Sequence, residues 1–182
     1  MTNRECFINN CQTGDIVLFH HKNECKNLYQ WIYSMFTNAI MFFTQSKYTH
    51  VGMIVKNPQF HPDKKGVFLL ESGTENFKDS EDNEYKFGVQ LSDMNTVLDN
   101  LDDYDIYWRQ LYCKRDETFY ANLNSAHSIV HNRPYDTNCI DWIKAAFNIH
   151  IGNEQRNKTF WCSALIAFIY SKLGLLDINI PW

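Results

Sequence analysis

The sequence predicts an α+β fold in one domain that spans residues 1–182. The length of 182 residues fits one domain with a substantial core. A hydrophobic fraction of 45% and a charged fraction of 21% are typical of a folded soluble protein. Strand-like segments come first along the chain and helical patterns follow them, an order that is typical of α+β proteins.

Five short runs of mainly apolar residues predict the strands. The first run follows a turn at Gly14, and Pro58 and Pro62 mark a loop between the second and third runs. Residues 73–87 are rich in charged side chains and are predicted to form a solvated loop. The predicted strands cover residues 15–20, 48–55, 66–72, 87–94 and 104–111.

Four segments show helical patterns. Apolar residues recur at helical spacing over residues 28–43 and give that helix an aromatic face. Such a face usually packs in the core of its own domain; the alternatives are an apolar wall beside an active site or a patch that touches a membrane. The last helix is predicted to begin at a Thr159 cap and to stop at Gly174. The other two cover residues 116–132 and 139–149.

Charge and composition exclude some classes of function. A formal net charge of -4, with no cluster of lysine or arginine, predicts no nucleic-acid partner. The first residues lack the apolar stretch of a secretory signal, and six cysteines in such a chain are expected to be reduced thiols, so a cytoplasmic location is expected. The Asn- and Lys-rich composition is compatible with an AT-rich genome, such as that of some viruses.

Cys162 lies at a position that favours a reactive thiol. With Thr159 as the N-cap, Cys162 falls in the first helical turn, where unpaired backbone N–H groups and the helix dipole stabilise an anion. These conditions lower the pKa of a thiol and produce a nucleophilic thiolate. The alternative is a small packing residue, because cysteine is among the most buried residue types.

His50 and Glu71 are predicted to lie opposite each other on neighbouring strands. A hairpin loop centred near residues 60 and 61 sets His50 across from Glu71, and a slip of one residue would undo that pairing. A carboxylate directly opposite an imidazole on a neighbouring strand orients the ring and stabilises its protonated form, as a base acting on a thiol requires. The alternative for His50 is a hydrogen-bonded structural histidine. The alternative for Glu71 is a strand end that emerges into solvent.

Three segments, "THVGMIV", "LLESG" and "FWCSALIAFIY", resemble in that order the NlpC-type papain-like cysteine hydrolases. The histidine strand precedes the cysteine helix, as in the circularly permuted branch, which includes YiiX-like proteins, a poxvirus family and, more distantly, lecithin:retinol acyltransferase. "TGDIVLF" and "RPYD" are similar to further segments of that family. The resemblance implies a permuted papain-like fold, with an antiparallel, partly barrel-like sheet packed against helices.

The resemblance also implies the roles of individual residues. Cys162 would be the nucleophile, His50 the base and Glu71 the residue that orients the base. Three aromatic residues near these positions are predicted to bind substrate: Tyr48, Tyr135 and Trp161.

The sequence predicts no metal ligands. His127 and His131 lie four residues apart on a predicted helix, but no glutamate follows His127 as in H-E-x-x-H, and no third ligand is spaced to suit. His20, His21 and Cys25 form an equally incomplete set, and the other cysteines lack zinc-ribbon spacing.

Together these features predict a thiol hydrolase that cleaves an amide or ester bond through an acyl-enzyme and needs no cofactor. The aromatic residues before the histidine strand and the permuted relatives favour a lipid or lipid-like acyl substrate, with peripheral membrane contact as an option. The alternatives are an acyltransferase that uses the same triad, a cysteine protease and a non-catalytic binding module.

Overall fold

A computed structural model of the chain describes residues 2–22, 46–73, 77–100, 102–134 and 162–177. The predicted helices over residues 28–43 and 139–149 lie outside the described residues. The predicted cap Thr159 and the predicted substrate-binding residues Tyr135 and Trp161 also lie outside them.

All five predicted strands are confirmed, and they form one antiparallel sheet of order β4-β3-β2-β1-β5. The α+β prediction is confirmed at this level. The strands are β1 (Ile16–His21), β2 (His50–Lys56), β3 (Val67–Gly73), β4 (Gly88–Asp93) and β5 (Tyr104–Arg109).

Four helices lie among the described residues. They are α1 (Asn3–Asn10), α2 (Met94–Asp99), α3 (Glu117–Val130) and α4 (Cys162–Lys172). Helix α3 agrees with its prediction, and α4 ends before Gly174, whose φ of +72° is a left-handed conformation that favours glycine. In the described part of the chain, none of the helices has the length and apolar character needed to cross a membrane.

The sequence analysis did not predict helices α1 and α2, although both begin at recognisable caps. Thr2 and Glu5 form a capping box at the start of α1. The carboxylate of Asp93 accepts a hydrogen bond from the backbone N–H of Thr96 at the start of α2. Both helices are short, so cap residues were the main local signal for them.

The sheet has a separate apolar core on each face, because successive side chains of a strand point to opposite faces. On one face, the strand residues Met53, Val55, Leu70 and Leu91 pack against helices α3 and α4, which contribute Leu123, Leu165 and Ile169. On the other face, the strand residues Val17, Phe19, Ile54, Val67 and Leu69 pack against α1 and against α2, which contributes Met94 and Val97.

Helix α4 is joined to the start of β1 by a buried polar network. The hydroxyl of Tyr170 donates a hydrogen bond to the carbonyl oxygen of Gly14 at 2.5 Å. Next in the chain, the buried carboxylate of Asp15 accepts hydrogen bonds from Trp108 and from Arg115, at 2.8 and 3.1 Å. The Tyr170 bond thus ties the helix that carries Cys162 to the turn before β1, and the Asp15 bonds hold that turn against β5 and Arg115.

The predicted register between β2 and β3 is wrong by two residues. Glu71 pairs with Gly52 rather than with His50. The hairpin loop is therefore centred slightly later in the chain than the prolines suggested. Because the offset is an even number of residues, His50 and Glu71 still lie on the same face, and their side chains meet diagonally.

The interpretation of residues 73–87 as a solvated loop is also wrong for part of that segment. Asp79 is 1% exposed and forms an ion pair with Lys86 at 2.6 Å. The same carboxylate accepts a hydrogen bond from the backbone N–H of Glu81 at 2.9 Å. Charged residues in a sequence suggest solvent exposure, but here a buried ion pair holds the loop in place.

Candidate active site

Cys162 is the first residue of helix α4, and its side chain is half-buried. Its thiol faces His50, and the backbone N–H groups of Val51 and Ser163 stabilise its anionic form. Burial raises the pKa of the thiol, but the hydrogen bond to His50 and its positive charge outweigh that effect. The pKa of Cys162 is therefore below its usual range.

His50 is the first residue of strand β2 and lies between the thiol and a carboxylate. Its Nε2 atom is 2.6 Å from Oε2 of Glu71. The ring of Phe19, across the β1–β2 pair, lies with its centroid 5.4 Å from that of His50. Burial lowers the pKa of the imidazole, but the hydrogen bonds to Cys162 and Glu71 outweigh burial and raise it to about 10.

Glu71 is buried in strand β3 and uses its two carboxylate oxygens differently. Oε2 faces His50, whereas Oε1 accepts hydrogen bonds from Ser92 at 2.8 Å and from Gln90 at 3.2 Å. Burial raises the pKa of this carboxyl, but its bond to His50 and these two neutral donors bring it below its usual range. Glu71 is therefore ionised at neutral pH.

The sequence analysis missed Ser92 and Gln90, which hold this carboxylate. Gln90 pairs directly with Glu71, and Ser92 pairs with Leu69, two residues away on the same face. Polar residues at alternating positions in an otherwise apolar strand were the only local signal. Their partner became clear only from the pairing of β3 with β4.

The structure thus brings together Cys162, His50 and Glu71 from one helix and two strands. An imidazole has two ring nitrogens, and because Nε2 bonds to Glu71, Nδ1 is the atom left to face the thiol. A positively charged ring between a thiolate and a carboxylate explains the directions of all three pKa shifts. This arrangement can supply an anionic nucleophile and return a proton to a leaving group.

The predicted substrate-binding residue Tyr48 lies just before β2. Its ring packs edge-on against that of Tyr107, with centroids 5.3 Å apart. The ammonium group of Lys47 lies over both rings. Tyr48 thus belongs to an aromatic and cationic cluster beside the strand that carries His50.

Comparison with known proteins adds a neighbour in fold. No family model matches the sequence, and no curated protein matches it. A solved structure described as metalloprotein YiiX from Escherichia coli O157:H7, DUF1105, aligns over 94% of this chain and 69% of its own, with a TM-score of 0.54 and 16% sequence identity. The chain is similar in fold to YiiX. At 16% identity, the similarity to YiiX supports the fold alone. The chemistry of the site rests on the side chains that form it.

Replacing Glu71 with glutamine is expected to reduce a thiol-dependent rate by about 100-fold and to leave measurable activity. The amide keeps a hydrogen bond to His50 but removes the negative charge that stabilises the imidazolium. The pKa of His50 should fall from about 10, and the alkaline limb of the pH–rate profile should move to lower pH. Kinetics across pH, with the exposed Glu84→Gln as the matched control, would measure both effects. An unchanged profile in Glu71→Gln would mean that Glu71 does not orient the base.

Proposed function

We propose that this protein is a thiol-dependent hydrolase of the circularly permuted papain-like type, which cleaves an amide or ester bond through an acyl-enzyme. The observation that carries the proposal is the contact of one imidazole with both a helix-start thiol and a buried carboxylate 2.6 Å away. Cys162 serves as the nucleophile, His50 as the base and Glu71 as the positioning residue. The order of histidine strand before cysteine helix supports the permuted arrangement.

The proposed reaction has two steps. The thiolate of Cys162 attacks the carbonyl carbon, and the C–N or C–O bond to the leaving group breaks as His50 gives that group a proton. The resulting thioester is then attacked by water, whose proton passes to His50, and the acid and free thiolate are released. The backbone N–H of Cys162, at the start of α4, stabilises the oxyanion of each tetrahedral intermediate.

We further propose a lipid or lipid-like acyl group as the substrate. Support for this comes from the sequence, which sets Trp31, Met35, Phe36 and Phe43 shortly before the histidine strand. An apolar wall favours long acyl chains, because each buried methylene contributes about 0.8 kcal/mol. The same residues would permit peripheral contact with a membrane surface.

A series of 4-nitrophenyl esters of increasing acyl length tests both parts of this proposal. We expect kcat/KM to climb with chain length, by up to about fourfold per methylene. Phe36→Ser should flatten the climb without removing activity on the shortest ester. Tyr112→Ser, at an exposed aromatic residue, is the matched control and should leave the climb unchanged.

The products of the same assay separate the alternatives. An acyl adduct on Cys162, detected by mass spectrometry after acid quenching, is expected during turnover. Transfer of the acyl group to an added alcohol or amine in preference to water would identify an acyltransferase. A rate independent of acyl length, together with cleavage of ordinary peptides, would favour a protease. Absence of any adduct on Cys162 would overturn the enzymatic proposal in favour of a binding module.

A further inference from the structure

A second group of polar side chains lies where the loop before β4 meets the end of helix α3. Oε2 of Glu81 is 3.1 Å from Nε2 of His127 and 3.0 Å from Nδ1 of His131. Glu81 lies before strand β4, whereas the two histidines lie at the end of α3 and just after it. The ligand atoms of all three residues lie within 4.8 Å of one another. The sequence analysis found the two histidines but not Glu81, because Glu81 is distant in the chain.

Two of the three distances between the donor atoms, those from Glu81, suit a tetrahedral ion. Zinc bonds to histidine nitrogen and carboxylate oxygen are about 2.0–2.2 Å long, which sets neighbouring ligand atoms about 3.3 Å apart in a tetrahedron. The two distances from Glu81 Oε2 are within a few tenths of an ångström of that value. Two imidazoles and one carboxylate are also a ligand set that zinc takes readily.

His61, in the loop between β2 and β3, lies beside these three residues but outside the set whose ligand atoms are within 4.8 Å of one another. Its Nε2 atom is 3.8 Å from Oε1 of Glu81. Its other ring nitrogen, Nδ1, is 3.0 Å from Oδ1 of Asp63. A carboxylate on the far nitrogen of a histidine is the usual outer partner of a metal ligand, because it fixes the tautomer and raises the basicity of the ligating nitrogen.

Contacts that need no metal hold the ligands in place. The ring of Phe60 stacks on that of His127, with centroids 3.7 Å apart. The carboxylate of Asp79 accepts a hydrogen bond from the backbone N–H of Glu81, and Lys86 pairs with Asp79. The side chains of Glu81 and His127 are buried, whereas His61 and His131 are about one-third exposed. The donor atoms are thus preorganised, and an ion can enter from the side of His61 and His131.

We propose that Glu81, His127 and His131 form a structural zinc site distinct from the thiol site, and that the partly exposed His61 moves closer to complete it as the fourth ligand when the ion binds. The bound ion would join the β2–β3 loop, the loop before β4 and the end of α3. Strand β4 carries Gln90 and Ser92, so the ion would also steady the strand that holds Glu71. Four protein ligands and no open position are typical of structural rather than catalytic zinc.

The test uses the full chain after removal of metals with a chelator, followed by titration with zinc sulfate in a calorimeter. We expect one equivalent to bind, and a rise in Tm of about 5–10 °C when free zinc is a hundredfold above Kd. Glu81→Gln and His131→Asn should each weaken binding by at least about tenfold, the size of loss caused by even an outer-shell change. Both variants keep hydrogen-bonding side chains, and their Tm in chelator should match that of the metal-free wild type.

The decisive control is Cys162→Ala, because a thiolate beside an imidazole is itself a zinc ligand set. This variant should bind zinc with the stoichiometry and affinity of the wild type. Loss of zinc in Cys162→Ala, with retention in Glu81→Gln and His131→Asn, would place the metal at the thiol site and overturn the proposal. Failure of the wild type to bind zinc at micromolar concentration would overturn it as well.

A cobalt spectrum gives a second readout that does not depend on activity. Cobalt bound by histidine and carboxylate should show weak visible bands and lack the intense near-ultraviolet band of a cobalt–thiolate bond. A strong thiolate band that disappears in Cys162→Ala would contradict the proposed ligands. Because neither measurement uses turnover, failure of the zinc site would leave the proposed hydrolase untouched, and the reverse also holds.

Discussion

Replacing Cys162 with alanine is expected to reduce ester turnover by about 10⁴-fold or more while leaving the protein folded. The change removes the only atom of the side chain that can form the thioester, so the residual rate reflects binding and positioning alone. The side chain lies half-buried at the helix start, and alanine is well tolerated there. Steady-state kinetics and a thermal unfolding curve measure the two effects.

Cys6→Ala is the matched control for this experiment. Cys6 is also a partly exposed free cysteine on a helix, and it lies on α1, which packs against the sheet through Phe7 and Ile8. Its removal should leave turnover within about twofold of the wild type. A turnover rate near that of the wild type in both Cys162→Ala and Cys6→Ala would show that neither thiol is the nucleophile. Cys162 would then be a packing residue.

The second large effect is expected in the pH dependence of alkylation by iodoacetamide. An ordinary thiol with a pKa of about 8.5 is about 1% ionised at pH 6.5, and its reaction rate rises about tenfold per pH unit below the pKa. The pKa of Cys162 is lowered, so its thiolate persists as the pH falls, and its partner imidazolium persists up to a pH of about 10. The rate at Cys162 should therefore fall less steeply than that of an ordinary thiol as the pH is lowered from 8 to 6.5.

His50→Gln should give Cys162 the steep pH profile of an ordinary thiol. The amide side chain can still donate a hydrogen bond to Oε2 of Glu71, which avoids leaving that buried oxygen without a donor, but it has no positive charge to hold the thiolate. We expect the rate at Cys162 to fall as the pH is lowered, by about 50-fold between pH 8.5 and 6.5. Peptide mapping by mass spectrometry would follow Cys162 and Cys6 in the same sample.

His20→Gln provides the control for the histidine change. Phe19 pairs with His50, and because side chains alternate along a strand, His20 points to the opposite face. This variant should keep the shallow pH profile of the wild type. A shallow profile that survives in His50→Gln would mean that the helix start and the backbone N–H groups, rather than the imidazole, ionise the thiol.

Much of the candidate site could be predicted from the sequence because its residues interrupt strong local patterns. His50 and Glu71 are polar residues inside apolar strands, and Cys162 opens an apolar helix. The periods of two and 3.6 residues in which side chains repeat are properties of the local backbone, so these segments could be assigned without knowing their neighbours. The roles of the three residues as a catalytic set stay predictions, which the experiments above address.

The sequence by itself determined the five strands, helix α3 and the end of α4, since alternation, caps and a glycine stop are local signals. Only the tertiary structure decided how these segments pair. It moved Glu71 opposite Gly52, gave its carboxylate Ser92 and Gln90 as donors, and brought Glu81 to His127. Strand register depends on the shape of the connecting loop and on which apolar side chains fit together in the core, and neither leaves a periodic trace in the sequence.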